Sequence, residues 1–392
     1  MEYIEKKDQE YRRVLICMLL GSIVTFADLY APQPLINVFS KLYRVSPATA
    51  SASISFPTLA LAASLLFIPL LSRRVGRKRI MGLSLFATSV LAMLSAFSPN
   101  FGFFLIVRLL EGISVSGFPA IAIAYLNEEI SPASIGGTMG AYVAGTAVGG
   151  FIGRVAIGPL TDWVSWPFAF FTLGFVCFLC SLWFWFSLPR PRNFQPAKMP
   201  FVDWVKTLAV GLRSKRLFPL YCMGFLLMGA YIMLFNYIGY PLTERPYYMS
   251  QTVLGFLFVV NLVGTWSSTM FGRLADHHSR RKLMGVACMI FVLGALLTLI
   301  PSVWIKILGI AVLAFGFFAG HTTASGWVGV AALANRKATA SSLYLLFYYL
   351  GSSIIGWAGG FLWINFHWIG IVGSICFLML ICYGLALFHG EE

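Results

Sequence analysis

Pro69-Leu70-Leu71-Ser72-Arg73-Arg74-Val75-Gly76-Arg77-Lys78-Arg79 and Gly272-Arg273-Leu274-Ala275-Asp276-His277-His278-Ser279-Arg280-Arg281-Lys282 are two copies of one pattern. Each is a basic loop between two long apolar segments. Other landmarks recur at nearly the same offset: Pro34-Leu35 with Pro241-Leu242, Gly112 with Gly316, Gly145 with Gly351, Gly150 with Gly356, and Gly153 with Gly359. A repeat this long means that the chain is two versions of one structural unit.

The segments around the loops say where that unit lives. The chain is 59% hydrophobic and 11% charged, whereas a soluble domain is about 25% charged. Most of its surface must therefore face lipid. A helix needs about 20 apolar residues to cross the hydrocarbon core. Twelve such segments are expected, at 14–37, 49–71, 80–98, 101–126, 136–160, 166–188, 217–242, 250–272, 282–300, 303–330, 337–363 and 365–388. They are read as helices, because a helix satisfies its own backbone in lipid. Barrel strands would alternate apolar and polar residues, but Val90–Phe97 and Leu173–Leu182 are apolar on both parities. The first span carries Asp28 and no small-residue cleavage site, so it is not read as a cleaved signal.

The net charge of +14 is not read as a nucleic-acid footprint, because its distribution follows the membrane. Of the 28 Lys and Arg residues, Lys41, Arg44, Arg245 and Lys306 fall in one set of loops, and Arg108 and Arg154 fall inside spans. All the others crowd the opposite side. This is the positive-inside bias. It predicts that both termini are cytoplasmic and that the protein sits in the inner membrane, touching anionic lipid.

Residues 189–216 separate the halves. Pro189 to Pro196 holds three prolines and cannot be a helix interior. After Pro200, Val202, Trp204, Val205, Leu208, Ala209 and Leu212 recur at helical spacing, as in an amphipathic helix lying on the membrane surface. The expected organisation is thus a six-helix bundle at 1–188, a linker at 189–216 and a second six-helix bundle at 217–392. Six is even, so the halves share one orientation and are parallel repeats.

Several chemistries find no pattern. No G-x-x-x-x-G-K-[ST] nucleotide loop is present, and no metal or hydrolytic constellation. No cofactor is expected. Cys177-Phe178-Leu179-Cys180 has redox spacing but sits in an apolar run, where small packing residues are the better reading.

Twelve helices as six plus six, with a basic loop between spans 2 and 3 echoed between 8 and 9, resemble the major facilitator superfamily. Its loop reads G-x-L-x-D-R-x-G-R-K. Leu71, Gly76, Arg77 and Lys78 match, while Pro69 replaces the first Gly and Arg73 replaces the Asp. The second copy keeps Gly272, Leu274, Asp276 and Arg280. Arg108-Leu109-Leu110-Glu111-Gly112 in span 4 looks like the family's R-x-x-x-G motif, associated with proton coupling. Gly145 to Arg154 in span 5 resembles the antiporter motif G-x-x-x-G-P-x-x-G-G, with Gly150 in place of Pro and Arg154 in place of the last Gly. Leu29-Tyr30-Ala31-Pro32-Gln33-Pro34-Leu35 adds a likeness to bacterial drug/proton antiporter-type exporters of the YnfM-like group. The resemblance implies alternating access in an all-α integral membrane fold. It also implies gating roles for the two loops, at Arg73, Gly76, Arg77, Gly272, Asp276 and Arg280. With its charge reversed, Arg73 is expected to pair with Glu128 or Glu129.

Asp28, Arg108, Glu111 and Arg154 are the ionisable groups read inside spans. A charge there costs about 2.5–3.5 kcal/mol on insertion scales and is functional by default. Their counterparts in the second half are Phe235, Val312, Phe315 and Gly360, none ionisable. Burial and a neighbouring guanidinium act oppositely on a carboxyl group, so an acid that gains and loses an arginine during the cycle carries a proton. Asp28 is favoured for that task, and a static charge network is the alternative. His321, read as the one intramembrane histidine, is expected to be a hydrogen-bonded packing residue rather than a titrating one. Tyr30, Gln33, Tyr142, Asn236, Tyr237, Tyr240, Asn261, Tyr348 and Tyr349, with His321, are candidates for lining a substrate cavity; packing is an equal reading for each. Gly145, Gly149, Gly150 and Gly153 make one side of span 5 small, which permits close helix approach. The expected activity is export of a small organic solute in exchange for protons, by a monomer and with no enzymatic step. Uptake or facilitated diffusion is the alternative within the class, and a membrane sensor or intramembrane enzyme the alternative outside it.

Overall fold

The computed structural model describes residues 3–194, 201–333 and 336–388. These form helices in the order α1 Gln9–Tyr30, α2 Ile36–Tyr43, α3 Pro47–Leu65, α4 Ile68–Val75, α5 Arg77–Ser95, α6 Phe101–Val115, α7 Pro119–Glu129, α8 Ile135–Trp163, α9 Trp166–Ser187 and α10 Phe201–Leu212. Then follow α11 Phe218–Tyr237, α12 Gly239–Thr243, α13 Gln251–Leu257, α14 Val263–Leu274, α15 Arg280–Leu297, α16 Val303–Ala331 and α17 Lys337–Phe388. The described residues contain no strand beyond one isolated bridge between Ile4 and Ile130.

Among the described residues, ten segments are long and apolar enough to cross a membrane. Two features relate them to the expected twelve. α17 bends at His367, where φ is 51°, so its 52 residues hold two helices rather than one. α15 has 18 residues and opens on Arg280, Arg281 and Lys282, so that only Leu283–Leu297 is free of charge. The bend also places a second histidine at a span boundary, beside the expected His321.

Exposure is inverted relative to a soluble protein. Phe186 is 75% exposed, Leu380 68% and Trp304 80%, while Asp28, Arg108 and Glu111 are at most 1% exposed. Lipid, not water, covers the outer side chains.

Local sequence explains the helix ends. Asn100 caps α6 by accepting the Phe103 N–H at 2.9 Å, and Ser165 caps α9 ahead of Pro167. Between α4 and α5 the chain turns at Gly76 with φ of 102°, a conformation that a Cβ disfavours. The first span is interrupted: Pro32 and Pro34 lack N–H groups, so α1 stops at Tyr30 and the chain resumes as α2. The expected span at 14–37 thus lies within one membrane-spanning segment, Gln9–Tyr43, that carries a break.

The helices gather into two compact units. One takes Met1–Pro34, Phe56–Met199 and Ser250–Phe256; the other takes Leu35–Ser55, Pro200–Met249 and Leu257–Glu392. In the first, α8 lies directly on α1. A Cβ added at Gly145 would sit 2.5 Å from the Leu19 carbonyl oxygen, at Gly149 2.7 Å from Ile23 Cα, and at Gly153 2.2 Å from the Ala27 carbonyl oxygen. The three glycines are four apart and form one stripe. Gly150 is off that stripe, and its Cβ would meet Arg154 Nη1 at 3.2 Å. In the second unit Gly351 approaches the Phe225 carbonyl and Gly359 approaches Met233. Those partners are displaced from Leu19 and Ala27 by the same number of positions as the glycines themselves, so the sequence repeat is also a contact repeat.

Candidate functional site

The interruption of α1 creates the site. In an α-helix the carbonyl of residue i accepts from the N–H of residue i+4. For Asp28 that donor would be Pro32, which has none. Arg108 of α6 supplies the missing donors: Nη1 reaches the Asp28 carbonyl at 3.2 Å and Nη2 the Leu29 carbonyl at 2.7 Å. A guanidinium at a helix C-terminus also opposes the negative end of the helix dipole. The same Nη1 lies 2.5 Å from Oε1 of Glu111, one helical turn on. Both side chains are completely buried, which is tolerable only because each compensates the other.

The Asp28 side chain stands beside this pair without joining it. It is buried, and neither carboxyl oxygen accepts an N–H or O–H. The groups facing it are Glu111, the Cys177 thiol of α9 and Arg108. Structure thus brings together Asp28, Arg108 and Glu111 and adds Cys177, which sequence reading took for packing alone.

Arg154 occupies the other side of the break. Its Nε donates to Gln33 Oε1 at 2.8 Å and its Nη1 to the Gly150 carbonyl at 2.7 Å. Its guanidinium carbon lies 4.4 Å from the Tyr30 ring centre, a cation–π contact. Gln33 and Tyr30, expected in a cavity, therefore hold Arg154. Gly150, expected in helix packing, supplies its carbonyl.

The first basic loop is tied into its own unit. Arg77 forms a two-point ion pair with Glu128, at 3.1 Å and 2.6 Å, and donates to Ser72 Oγ at 2.6 Å. Arg77 is thus a partner of Glu128; the expected pairing of Arg73 with Glu128 or Glu129 lies outside the described residues. Glu129 accepts the backbone N–H groups of Arg192 and Asn193 at 2.8 Å and 2.9 Å, and its carbonyl accepts the Ile4 N–H. In the second unit Asp276 is exposed, Arg280 is half-buried and Gly272 has room beside it.

The remaining cavity candidates lie mostly in packed surroundings. The Tyr142 ring lies 6.2 Å from that of Phe118. In the second unit the Tyr237 hydroxyl sits 2.9 Å from Ser51 Oγ and 3.0 Å from the Gly356 carbonyl. Tyr240 packs on Trp363 at 5.3 Å, and Asn236 is buried close to Gly356. Asn261 is half-buried, with its side-chain oxygen unpartnered. His321 Nδ1 lies 2.9 Å from the Tyr344 hydroxyl, its ring stacked between Phe317 and Tyr348. Tyr349 meets Tyr348 edge-on at 5.2 Å. Lys306, assigned by charge counting to a loop, is instead buried at the start of α16 and donates to the Thr298 carbonyl. Pro32 lies four positions after Asp28, a spacing that marks the orphaned carbonyl in the sequence; nothing comparable marks Cys177 or Lys306.

Residues 18–264 match the sequence profile of the Major Facilitator Superfamily. The chain is 43% identical over 386 residues to the uncharacterized MFS-type transporter YybF of Bacillus subtilis (strain 168), covering 98% of this chain and 95% of that one. It is 38% identical over 380 residues to the inner membrane transport protein YnfM of Escherichia coli (strain K12), covering 97% and 91%. Among solved structures, a bacterial homolog of the human lysosomal transporter Spinster, in an inward-facing and occupied conformation, superposes with a TM-score of 0.77 at 14% identity, covering 97% of each chain. Two helical units related by a sequence repeat, and full-length likeness to transporters rather than enzymes, lead to one assignment: the chain is a multi-pass membrane transporter of the Major Facilitator Superfamily.

Proposed function

We propose that the protein exports a small organic solute across the inner membrane in exchange for protons, by alternating access of the halves 1–188 and 217–392, with both termini in the cytoplasm. The observation that carries this reading is the Asp28–Arg108–Glu111 cluster at the broken end of α1. Arg108 and Glu111 already balance each other, so a second carboxylate beside them is an uncompensated charge in a dry site. In this arrangement Asp28 holds the proton. Arg108 is meanwhile bonded to backbone carbonyls that exist as acceptors only because the helix is broken there. A shift of the α1 end moves those carbonyls away, and the nearest alternative for the guanidinium is the Asp28 carboxylate, which then releases its proton. The proton and the helix end thus compete for one arginine, and that competition links protonation to conformation.

The second unit offers the complementary chemistry. Phe258, Phe235, Tyr231 and Phe317 follow one another at ring separations of 4.9, 4.8 and 4.0 Å, continuing to His321 and Tyr348. Such a run suits an amphipathic organic solute recognised by ring contact more than by charge.

The test is a proton-flux assay in proteoliposomes with an imposed pH gradient, screened across candidate solutes. Solute-dependent proton movement, abolished by a protonophore, is the expected result. Solute accumulation that ignores the pH gradient would overturn the coupling.

A further inference from the structure

The second unit contains a cavity that the transport reading leaves unused. It has a volume of about 160 Å³, several times the share of one water. It lies where α10, the start of α11, the end of α16 and the start of α17 meet. Its polar lining is Thr207, Ser214, Arg216, Tyr221, Arg336 and Thr339.

Four features of that lining agree on the charge of its occupant. Two guanidinium groups share the cavity, and no carboxylate is among the described residues lining it. Two long helices begin there, α11 at Phe218 and α17 at Lys337, and helix N-termini favour anions. The Tyr221 side chain is completely buried, yet its hydroxyl has no hydrogen-bond partner. An orphaned buried hydroxyl is destabilising, and an acceptor in the cavity removes that cost. Hydroxyls at Ser214 and Thr339 add further polar groups around a compact anion.

The location says where the anion comes from. α10 is amphipathic: Val202 is 60% exposed and Val205 43%, beside the exposed Lys206 and Arg213. A helix of this kind lies in the interface at headgroup depth. It is also pressed against α17, since a Cβ at Gly211 would sit 2.5 Å from Leu343 Cδ1. A cavity lined by a helix at that depth is within reach of lipid phosphates.

We propose that this cavity binds the phosphate group of an anionic phospholipid, with Arg216 and Arg336 as its cationic clamp and Tyr221 as a neutral donor. Bound there, the lipid staples α10 to α11 and α17. The proposal stands on the second unit alone and is independent of solute, direction and proton coupling.

The experiment uses the full-length protein in phosphatidylcholine nanodiscs, with and without phosphatidylglycerol, and reads retained phosphatidylglycerol by native mass spectrometry. Each charge-assisted contact is worth about 1.5–3 kcal/mol, so the double variant Arg216→Gln/Arg336→Gln is expected to lower retention by about tenfold or more. Tyr221→Phe, which removes one oxygen and keeps the fold, is expected to lower it several-fold. Arg213→Gln, just past the end of α10 and outside the cavity lining, is expected to leave it unchanged. Undiminished retention in the double variant and in Tyr221→Phe overturns the proposal. So does an equal loss in Arg213→Gln, which would make the effect one of diffuse surface charge. A final arm adds inorganic phosphate to protein in phosphatidylcholine alone. Saturable thermal stabilisation there, with none from phosphatidylglycerol, would assign the cavity to a soluble phosphate compound and refute the lipid source.

Discussion

Replacing Arg108 by methionine removes one side chain from three partners. Glu111 loses its counter-charge in a site with no exposure, and breaking a buried pair costs about 3–5 kcal/mol. The carbonyls of Asp28 and Leu29 lose their donors, at about 1–3 kcal/mol each. Simple addition gives roughly 5–11 kcal/mol, lowered in practice by relaxation and entry of water. A protein's whole stability is about 5–15 kcal/mol, so Arg108→Met is expected to yield little folded protein. The double variant Arg108→Met/Glu111→Met removes the stranded charge and leaves only the two carbonyls unpaired. It should be more stable than Arg108→Met alone by about 3 kcal/mol, or about 6 °C in melting temperature. Thermal unfolding of purified protein in detergent, followed by size-exclusion recovery, measures the difference. If the double variant melts no higher than the single one, the ion pair is not what compensates Arg108 and the reading of the cluster is wrong.

Asp28→Asn keeps the volume and removes the titratable group; it is expected to fold and to exchange solute in counterflow, but to lose accumulation driven by a pH gradient, and wild-type accumulation would make Asp28 structural. Gly153→Ala places a Cβ 2.2 Å from a backbone oxygen and should cost about 1–3 kcal/mol. Gly140→Ala, with nothing within 4 Å, should be neutral or stabilising by up to about 1 kcal/mol; similar melting of the two variants would contradict the α1–α8 packing. Single cysteines beside Arg192 should be shielded from an impermeant thiol reagent in intact cells, and cysteines beside Arg245 labelled, with the reverse pattern refuting the orientation. Tyr237→Phe removes the hydroxyl near Ser51 and Gly356 and is expected to lower stability by about 1 kcal/mol, whereas loss of solute binding at unchanged stability would return Tyr237 to the cavity.

Composition and the repeated loop by themselves determined the membrane environment, the helical class and the two-fold internal repeat. Those properties depend on summed hydropathy and on periodicity, which no tertiary contact can reverse. The Gly145–Gly149–Gly153 stripe was legible for the same reason: a four-residue spacing is local. The partners of polar side chains were not. Arg77 meets Glu128, Gln33 holds Arg154 instead of facing open space, and Cys177 comes up against Asp28. A long side chain chooses among partners brought from distant parts of the chain, and the choice turns on differences of an ångström between packed helices. Only the tertiary structure decided that Arg108 completes the end of α1. Pro32 announced that a carbonyl would be left unpaired, but which donor reached it depended on where α6 came to lie.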